Sequence, residues 1–180
     1  MGIDLKNWMQ NLPDGSDLLA LNLCGTHDCV TQHIRLPHFF CCQDLTIYEQ
    51  LLLGVRALDI RVRADGKCLT MVHGIFPAYN HSCHRANLMD MGDVLSQCYR
   101  FLDECPGEAV VFQFKNDNGK ENEQCFDNLF YTYIKGKEPY WYLEDRVPTL
   151  GAARGKLVLI RRCKMEPKPD FTCLLYTSPS

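Results

Sequence analysis

Ala109-Val110-Val111-Phe112-Gln113-Phe114-Lys115 is the stretch on which the fold turns. It is nearly continuous in apolar residues, short, and closed by a base. A strand with one face in water alternates apolar and polar positions, whereas a strand covered on both faces does not, so the run reads as a strand inside a parallel sheet. Lys156-Leu157-Val158-Leu159-Ile160 reads the same way. Working outward, shorter apolar runs at 18–23, 57–62 and 69–72 also have strand length. Between them, 47–55 and 91–104 place Leu, Val and Phe at three- and four-residue steps, the spacing of a helix with one buried face. Strands alternating with helices predict an α/β architecture with parallel strands at the core. Polar groups follow directly on the apolar runs: Gly25-Thr26-His27-Asp28, Arg61, His73 and Lys115. In a β/α barrel the carboxyl ends of the strands carry the chemistry. Five strands are legible where a whole eight-stranded barrel takes about 250 residues, so the expectation is an incomplete TIM-type barrel. One domain is expected over 1–170, followed at 171–180 by a tail of different composition, a candidate non-native end.

The bulk properties narrow the function. A chain of 180 residues with 46% hydrophobic content has enough apolar surface for one core. Nineteen basic against 22 acidic residues give a net charge of -3, and no run of Lys or Arg is long enough to follow a phosphate backbone. Nucleic acid is therefore not an expected partner. No run approaches the roughly 18 apolar residues of a membrane span, and the first ten residues lack the basic and apolar regions of a signal peptide. Eleven cysteines are many, but the number is odd and the spacing scattered, which argues against a complete disulfide framework. Reduced and mostly buried thiols are expected. Cys24 and Cys29 with His81 and His84 come nearest to a zinc pattern, yet the histidines are too close together for a finger, so no structural metal is expected.

Two histidines at strand ends, His27 and His73, with Arg61 on the strand between them, suit phosphodiester cleavage. A base must take a hydroxyl proton, an acid must protonate the leaving oxygen, and a fixed cation must meet the charge growing on the phosphoryl oxygens. Imidazole does both proton jobs near neutral pH. The plainer reading of Arg61 is an ion pair with Asp59. His33, His38, His81 and His84 are read as structural.

Trp8-Met9, Leu12-Pro13-Asp14, the run Leu21-Asn22-Leu23-Cys24-Gly25-Thr26-His27-Asp28, Gln50, Gly54-Val55-Arg56, Leu58-Asp59-Ile60-Arg61 and Val72-His73-Gly74 resemble, in that order, the X domain of phosphatidylinositol-specific phospholipases C. The resemblance continues through 110–115 and 151–162. Cys24 stands where that family usually has Pro and Cys29 where it usually has Ser. Arg61 and Asp28, in place of a carboxylate-rich calcium set and an Asn, are similar to the bacterial, metal-independent type, because a guanidinium fork suits phosphate oxygens and can take over a metal's electrostatic task.

That resemblance implies a phosphatidylinositol diacylglycerol-lyase with no metal and no cofactor. His27 would be the base on the inositol 2-hydroxyl, and His73, assisted by Asp28, the acid on the departing diacylglycerol oxygen. Arg61 would stabilise the phosphoryl charge, with Lys115 and Arg162 reaching the inositol. Phosphatidylinositol or a glycosylated inositol lipid would be the substrate, met peripherally at a membrane interface, with Phe39-Phe40 or Tyr140-Trp141-Tyr142 as candidate interfacial aromatics that read equally well as ordinary core or helix packing. Secretion is implied by the family alone. The resemblance also implies that the aspartate orienting the base comes from a late strand beyond this sequence, so no residue here is assigned to orient His27, and low activity of the chain as given is expected. Two other readings stand beside it: a glycerophosphodiester phosphodiesterase, which would need acidic metal ligands where Arg61 sits, and an inositol-lipid binding module without turnover. The oligomeric state is not legible.

Overall fold

The computed structural model describes residues 2, 4–117, 123–163 and 175–176. Eight strands form one sheet: β1 (Gly25–Thr26), β2 (Ala57–Asp65), β3 (Cys68–His73), β4 (Phe76–Pro77), β5 (Ala109–Asn116), β6 (Trp141–Tyr142), β7 (Lys156–Arg161) and β8 (Leu175–Tyr176). The helices are α1 (Pro37–Phe40), α2 (Ile47–Leu52), α3 (Met91–Glu104), α4 (Glu123–Ile134) and α5 (Leu150–Ala153). The centre is parallel: β2 pairs β5 with Leu58 opposite Phe112, and β5 pairs β7 with Val111 opposite Val158. β1 adds in parallel to the start of β2, and β6 and β8 to β7. Among the described residues the sheet is an open arc and not a closed barrel, as expected of the α/β incomplete TIM-type reading. The expected boundary between 170 and 171 lies outside the described residues.

Two expectations fail. The run at 69–72 is not a parallel strand: β3 returns antiparallel from β2, with Asp65 opposite Cys68, because the connection is far too short for a crossover. The run at 18–23 is not a strand either. Leu18–Ala20 form one 3-10 turn, stopped from extending by Asp17, whose side chain accepts the Leu19 amide at 2.9 Å.

β5 is apolar throughout because both faces are covered. Val110, Phe112 and Phe114 pack towards the helices with Phe101, Phe126 and Phe130, while Ala109 and Val111 join a smaller core with Met9, Leu18, Tyr142 and Val158. Each fully buried aromatic there contributes about 1.5–3 kcal/mol. α3 has the limits predicted from spacing, and a capping box between Asp90 and Asp93 fixes its start. At the amino-terminal end of the strands, Arg56 and Glu108, both fully buried, meet at 2.7 Å. Glu108 also accepts the Met9 and Gln10 amides, which fastens the 3-10 helix Leu5–Asn11 beneath the sheet.

The nine cysteines whose side chains are described are free, but only Cys29, Cys98 and Cys105 are buried, against Cys24, Cys42, Cys68 and Cys83 exposed. The expectation of mostly buried thiols is therefore corrected: the exposed ones sit in loops and at strand ends, outside the packed layers.

Candidate active site

Side chains alternate along a strand. On β2, Leu58, Ile60 and Val62 are in the helix-side core, so Asp59 and Arg61 share the opposite face. The parallel register sets Gln113 beside Asp59 and Lys115 beside Arg61. β1 lies so close to β2 that a Cβ on Gly25 would be 3.2 Å from both the Cβ and the carbonyl oxygen of Ala57, a tight approach that glycine avoids. Beyond β1 the chain turns at Asp28, whose φ of 43° is left-handed, and folds over β2. Buried Gln50 holds this turn: its amide donates to the carbonyls of Cys29 (2.8 Å) and Leu45 (2.7 Å), and its oxygen accepts from Thr26. β3 brings His73 back to the same end. There Gly74, at φ 58°, donates its amide to Asp117 at 2.7 Å.

The result is one cluster. His27 Nδ1 is 3.0 Å from Asp59 Oδ2 and its Nε2 is 3.1 Å from Asp28 Oδ2. The same Asp28 oxygen is 3.4 Å from His73 Nε2, and the two imidazole centroids are 6.5 Å apart. Arg61 spans the two carboxylates, with Nε 3.0 Å from Asp28 Oδ1 and an Nη 3.1 Å from Asp59 Oδ2. The Phe40 carbonyl, 3.1 Å from His73 Nδ1, can only accept and selects a proton there, whereas His27 Nδ1 faces both an acceptor, Asp59 Oδ2 at 3.0 Å, and a donor, Arg61 Nη2 at 3.4 Å, of which the nearer carboxylate favours a proton on Nδ1. Both Nε2 atoms face the same Asp28 oxygen, at 3.1 and 3.4 Å.

The carboxylates are not equivalent. Burial pushes the Asp28 carboxyl up despite the opposing charges of Arg61, His73 and His27, and neither of its oxygens accepts an aligned hydrogen bond. Burial alone would raise Asp59 too, but the Arg61 charge and hydrogen bonds from Gln113, Arg61 and the Asp28 amide outweigh it and hold Asp59 below the usual range. Asp117 is likewise held down against burial by Lys115 and the Gly74 amide. Arg61 is raised, its own burial being outweighed by Asp59 and Asp28.

His27, Asp28, Arg61 and His73 are thus brought together. Lys115 joins them indirectly, 2.6 Å from Asp117, which lies 3.9 Å from Arg61. Arg162 lines an open cavity of about 590 Å³ together with His27, Asp59, Arg61 and Gln113. Arg61 makes the expected ion pair with Asp59 and also reaches Asp28, on which both histidines converge. Asp28 was expected to serve His73 alone, yet it is nearer His27. The sequence alone assigns no residue to orient His27; Asp59 Oδ2 lies 3.0 Å from its Nδ1 and Arg61 Nη2 3.4 Å from the same atom. Asp59, Gln113 and Asp117 were missed as site residues; the two-residue step from Asp59 to Arg61 was the available signal. The zinc-like set does not assemble: among the described residues, no three metal-capable groups come from Cys24, Cys29, His81 and His84.

Of the candidate interfacial aromatics, Phe39 is 79% exposed; Leu36, three residues before it, and Ile75, next to the Phe76 ring that packs on Phe40, are also exposed. Phe40 stacks on Phe76 at 4.3 Å and touches the His73 ring. In the Tyr140-Trp141-Tyr142 set the packing reading holds for two of the three rings. Trp141 and Tyr142 are buried, and the Trp141 indole donates to Tyr99 at 3.0 Å, so these rings fill the core.

No protein-family model matches the chain. It is 27% identical over 169 residues to a 1-phosphatidylinositol phosphodiesterase of Listeria monocytogenes, covering 88% of the chain and 49% of that relative. It superposes on the solved phosphatidylinositol-specific phospholipase C of the same organism with a TM-score of 0.73 and 26% identity, over 89% of this chain and 57% of that one. A Staphylococcus aureus phosphatidylinositol-specific phospholipase C, solved in connection with its membrane binding, gives a TM-score of 0.75 and 27% identity over 94% and 56%. The chain spans about half the length of the curated relatives it matches.

Proposed function

The chain is homologous over most of its length to the bacterial phosphatidylinositol-specific phospholipases C, and on that premise we propose that its strand-end cluster cleaves phosphatidylinositol to diacylglycerol and inositol 1,2-cyclic phosphate. The observation that carries the reading is the placement of two imidazoles 6.5 Å apart around one guanidinium. A phosphodiester entering there meets a base, an acid and a cation at once.

In this reading His27, oriented through Asp59, takes the proton of the inositol 2-hydroxyl, which attacks phosphorus. His73, held at Nδ1 by the Phe40 carbonyl, gives its Nε2 proton to the departing diacylglycerol oxygen. Arg61 faces the phosphoryl oxygens. Each proton transfer contributes roughly 10²–10⁴ in rate. Asp28 keeps a proton poised between the two imidazoles until the substrate displaces it. Arg162 and the Lys115–Asp117 pair are assigned to inositol hydroxyls. Phosphatidylinositol is the primary substrate, with glycosylated inositol lipids taken by the same chemistry. Exposed Phe39, Leu36 and Ile75 suit peripheral contact with a membrane interface. With a net charge of -3, attraction to anionic lipid contributes little.

The test is phosphorus NMR of phosphatidylinositol vesicles incubated with the chain in the presence of a chelator. The expected product is the five-membered cyclic phosphate. Turnover abolished by the chelator would favour a metal-dependent phosphodiesterase, and vesicle binding without diacylglycerol release would favour a binding module; either would overturn the proposal.

A further inference from the structure

The loop after α1 places a thiol beside this cluster. Metal-capable atoms of His27, Asp28 and Cys42 all lie within 4.8 Å of one another, the one such trio among the described residues. Their chemistry suits a borderline-soft cation: one imidazole nitrogen, one carboxylate oxygen and one sulfur. Zinc bonds of about 2.0–2.3 Å at tetrahedral angles set neighbouring ligand atoms roughly 3.3–3.8 Å apart. A contraction of about 1 Å by His27 and Cys42, both solvent-accessible, would complete the geometry.

Three further observations point to a ligand. Asp28 is 1% exposed; Arg61 Nε stands 3.0 Å from its Oδ1, while its Oδ2, 3.1 Å from His27 Nε2 and 3.4 Å from His73 Nε2, has no aligned donor and keeps its lone pairs for a cation. His27 Nδ1 faces Asp59 at 3.0 Å, which leaves Nε2 for a metal and reproduces the carboxylate–histidine arrangement that orients metal-bound imidazoles. Asp28, Asp59 and Asp117 against Arg61 and Lys115 also leave one net negative charge before the histidines are counted. Cys42 itself is anchored by its amide, which donates to Thr31 at 2.8 Å, while its sulfur has only a 3.8 Å contact with the Phe40 carbonyl.

We propose that His27, Asp28 and Cys42 bind a thiophilic divalent cation, zinc above all, with solvent in the fourth position, and that the occupied site is catalytically silent. On binding, the Cys42 thiol proton and the proton held between Asp28 and the imidazoles are released to solvent as two protons, and His27 Nε2 gives its lone pair to the metal, so no base remains. The binding claim stands on geometry alone; the silencing claim rests on the proposed function.

Two readouts keep these apart. Cobalt(II) added to the metal-free chain should give a thiolate-to-metal charge-transfer band, and calorimetry should show zinc binding that weakens at least about tenfold in Cys42→Ser. Cys41→Ser, whose thiol instead faces Gln43 and Asp44, should retain both signals. With chelator present, Cys42→Ser should turn over phosphatidylinositol like the wild type; with zinc it should keep activity that the wild type loses. A missing charge-transfer band, equal zinc affinity in Cys42→Ser, or loss of the band in Cys41→Ser alone would overturn the site. An intact band with undiminished wild-type turnover at saturating zinc would overturn the silencing. A chain with the band but no turnover under any condition would uphold the site and count against the proposed function.

Discussion

Replacing Asp59 by Asn keeps the shape of a side chain that receives several donors while removing its charge. Asp59 Oδ1 accepts from Gln113 at 3.1 Å, and Oδ2 faces His27 Nδ1 at 3.0 Å and Arg61 at 3.1 Å. If the Asn oxygen keeps the Gln113 bond, its NH₂ points at His27 and Arg61, donor against donor. His27 can relieve this only by moving its proton to Nε2, which removes the base. A wrong tautomer in a histidine-based site costs up to about 10⁴ in rate, and loss of a charge-assisted hydrogen bond alone costs about 1.5–3 kcal/mol. The expected fall in kcat is therefore about 10²–10⁴, or roughly 2.7–5.4 kcal/mol at 1.36 kcal/mol per decade. The assay is diacylglycerol release from phosphatidylinositol in mixed micelles. Stability gives an independent check. Asp59 is held below its unfolded value of 3.8, so its contribution is complete above that pH and is lost as pH falls through the lowered folded value. The Tm deficit of Asp59→Asn should be full at pH 7 and close towards acid. A kcat within threefold of wild type, with the fold intact, would refute the orienting role.

Asp28 carries the opposite sign. Its folded value is raised by burial, so its ionised form costs stability above that value and costs nothing below the unfolded 3.8. Asp28→Asn, which tolerates the left-handed backbone, should melt higher than wild type at pH 7 and equal to it below about pH 3.8; a lower Tm at pH 7 would contradict this. Arg56→Met leaves Glu108 buried and unpaired and should cost about 3–5 kcal/mol in urea unfolding, with much of it recovered in Arg56→Met/Glu108→Leu. Phe39→Ser removes a ring that is 79% exposed, so stability should change by less than about 0.5 kcal/mol while vesicle sedimentation falls and turnover of a soluble substrate holds.

The fold was legible where burial is extreme. Two covered faces made 109–115 and 156–160 unmistakable, and the capped amphipathic run 91–104 kept its predicted limits as α3. It was illegible where strand pairing depends on a turn: nothing in Leu69-Thr70-Met71-Val72 distinguishes a hairpin strand from a parallel one, because pairing direction is set by the length of the preceding connection. The site followed the same division. His27, Asp28, Arg61 and His73 announce themselves by ending apolar runs, whereas Asp59 sits within one and reads as a mere partner of Arg61. Asp117 directly follows β5 but was hidden behind Lys115, on which the reading of that strand end stopped, and Cys42 gave no signal because it comes near the cluster only through the loop after α1.

The pairing of base and acid on one phosphodiester is tested most directly by the leaving-group dependence of kcat in His27→Ala and His73→Ala. An aryl leaving group departs without being protonated, so His73→Ala should lose about 10²–10⁴ on phosphatidylinositol and regain most of it on an aryl inositol phosphodiester, while His27→Ala stays impaired on both. Equal responses of the two variants to the change of leaving group, or undiminished turnover in either, would contradict the assignment of an acid and a base to these two side chains.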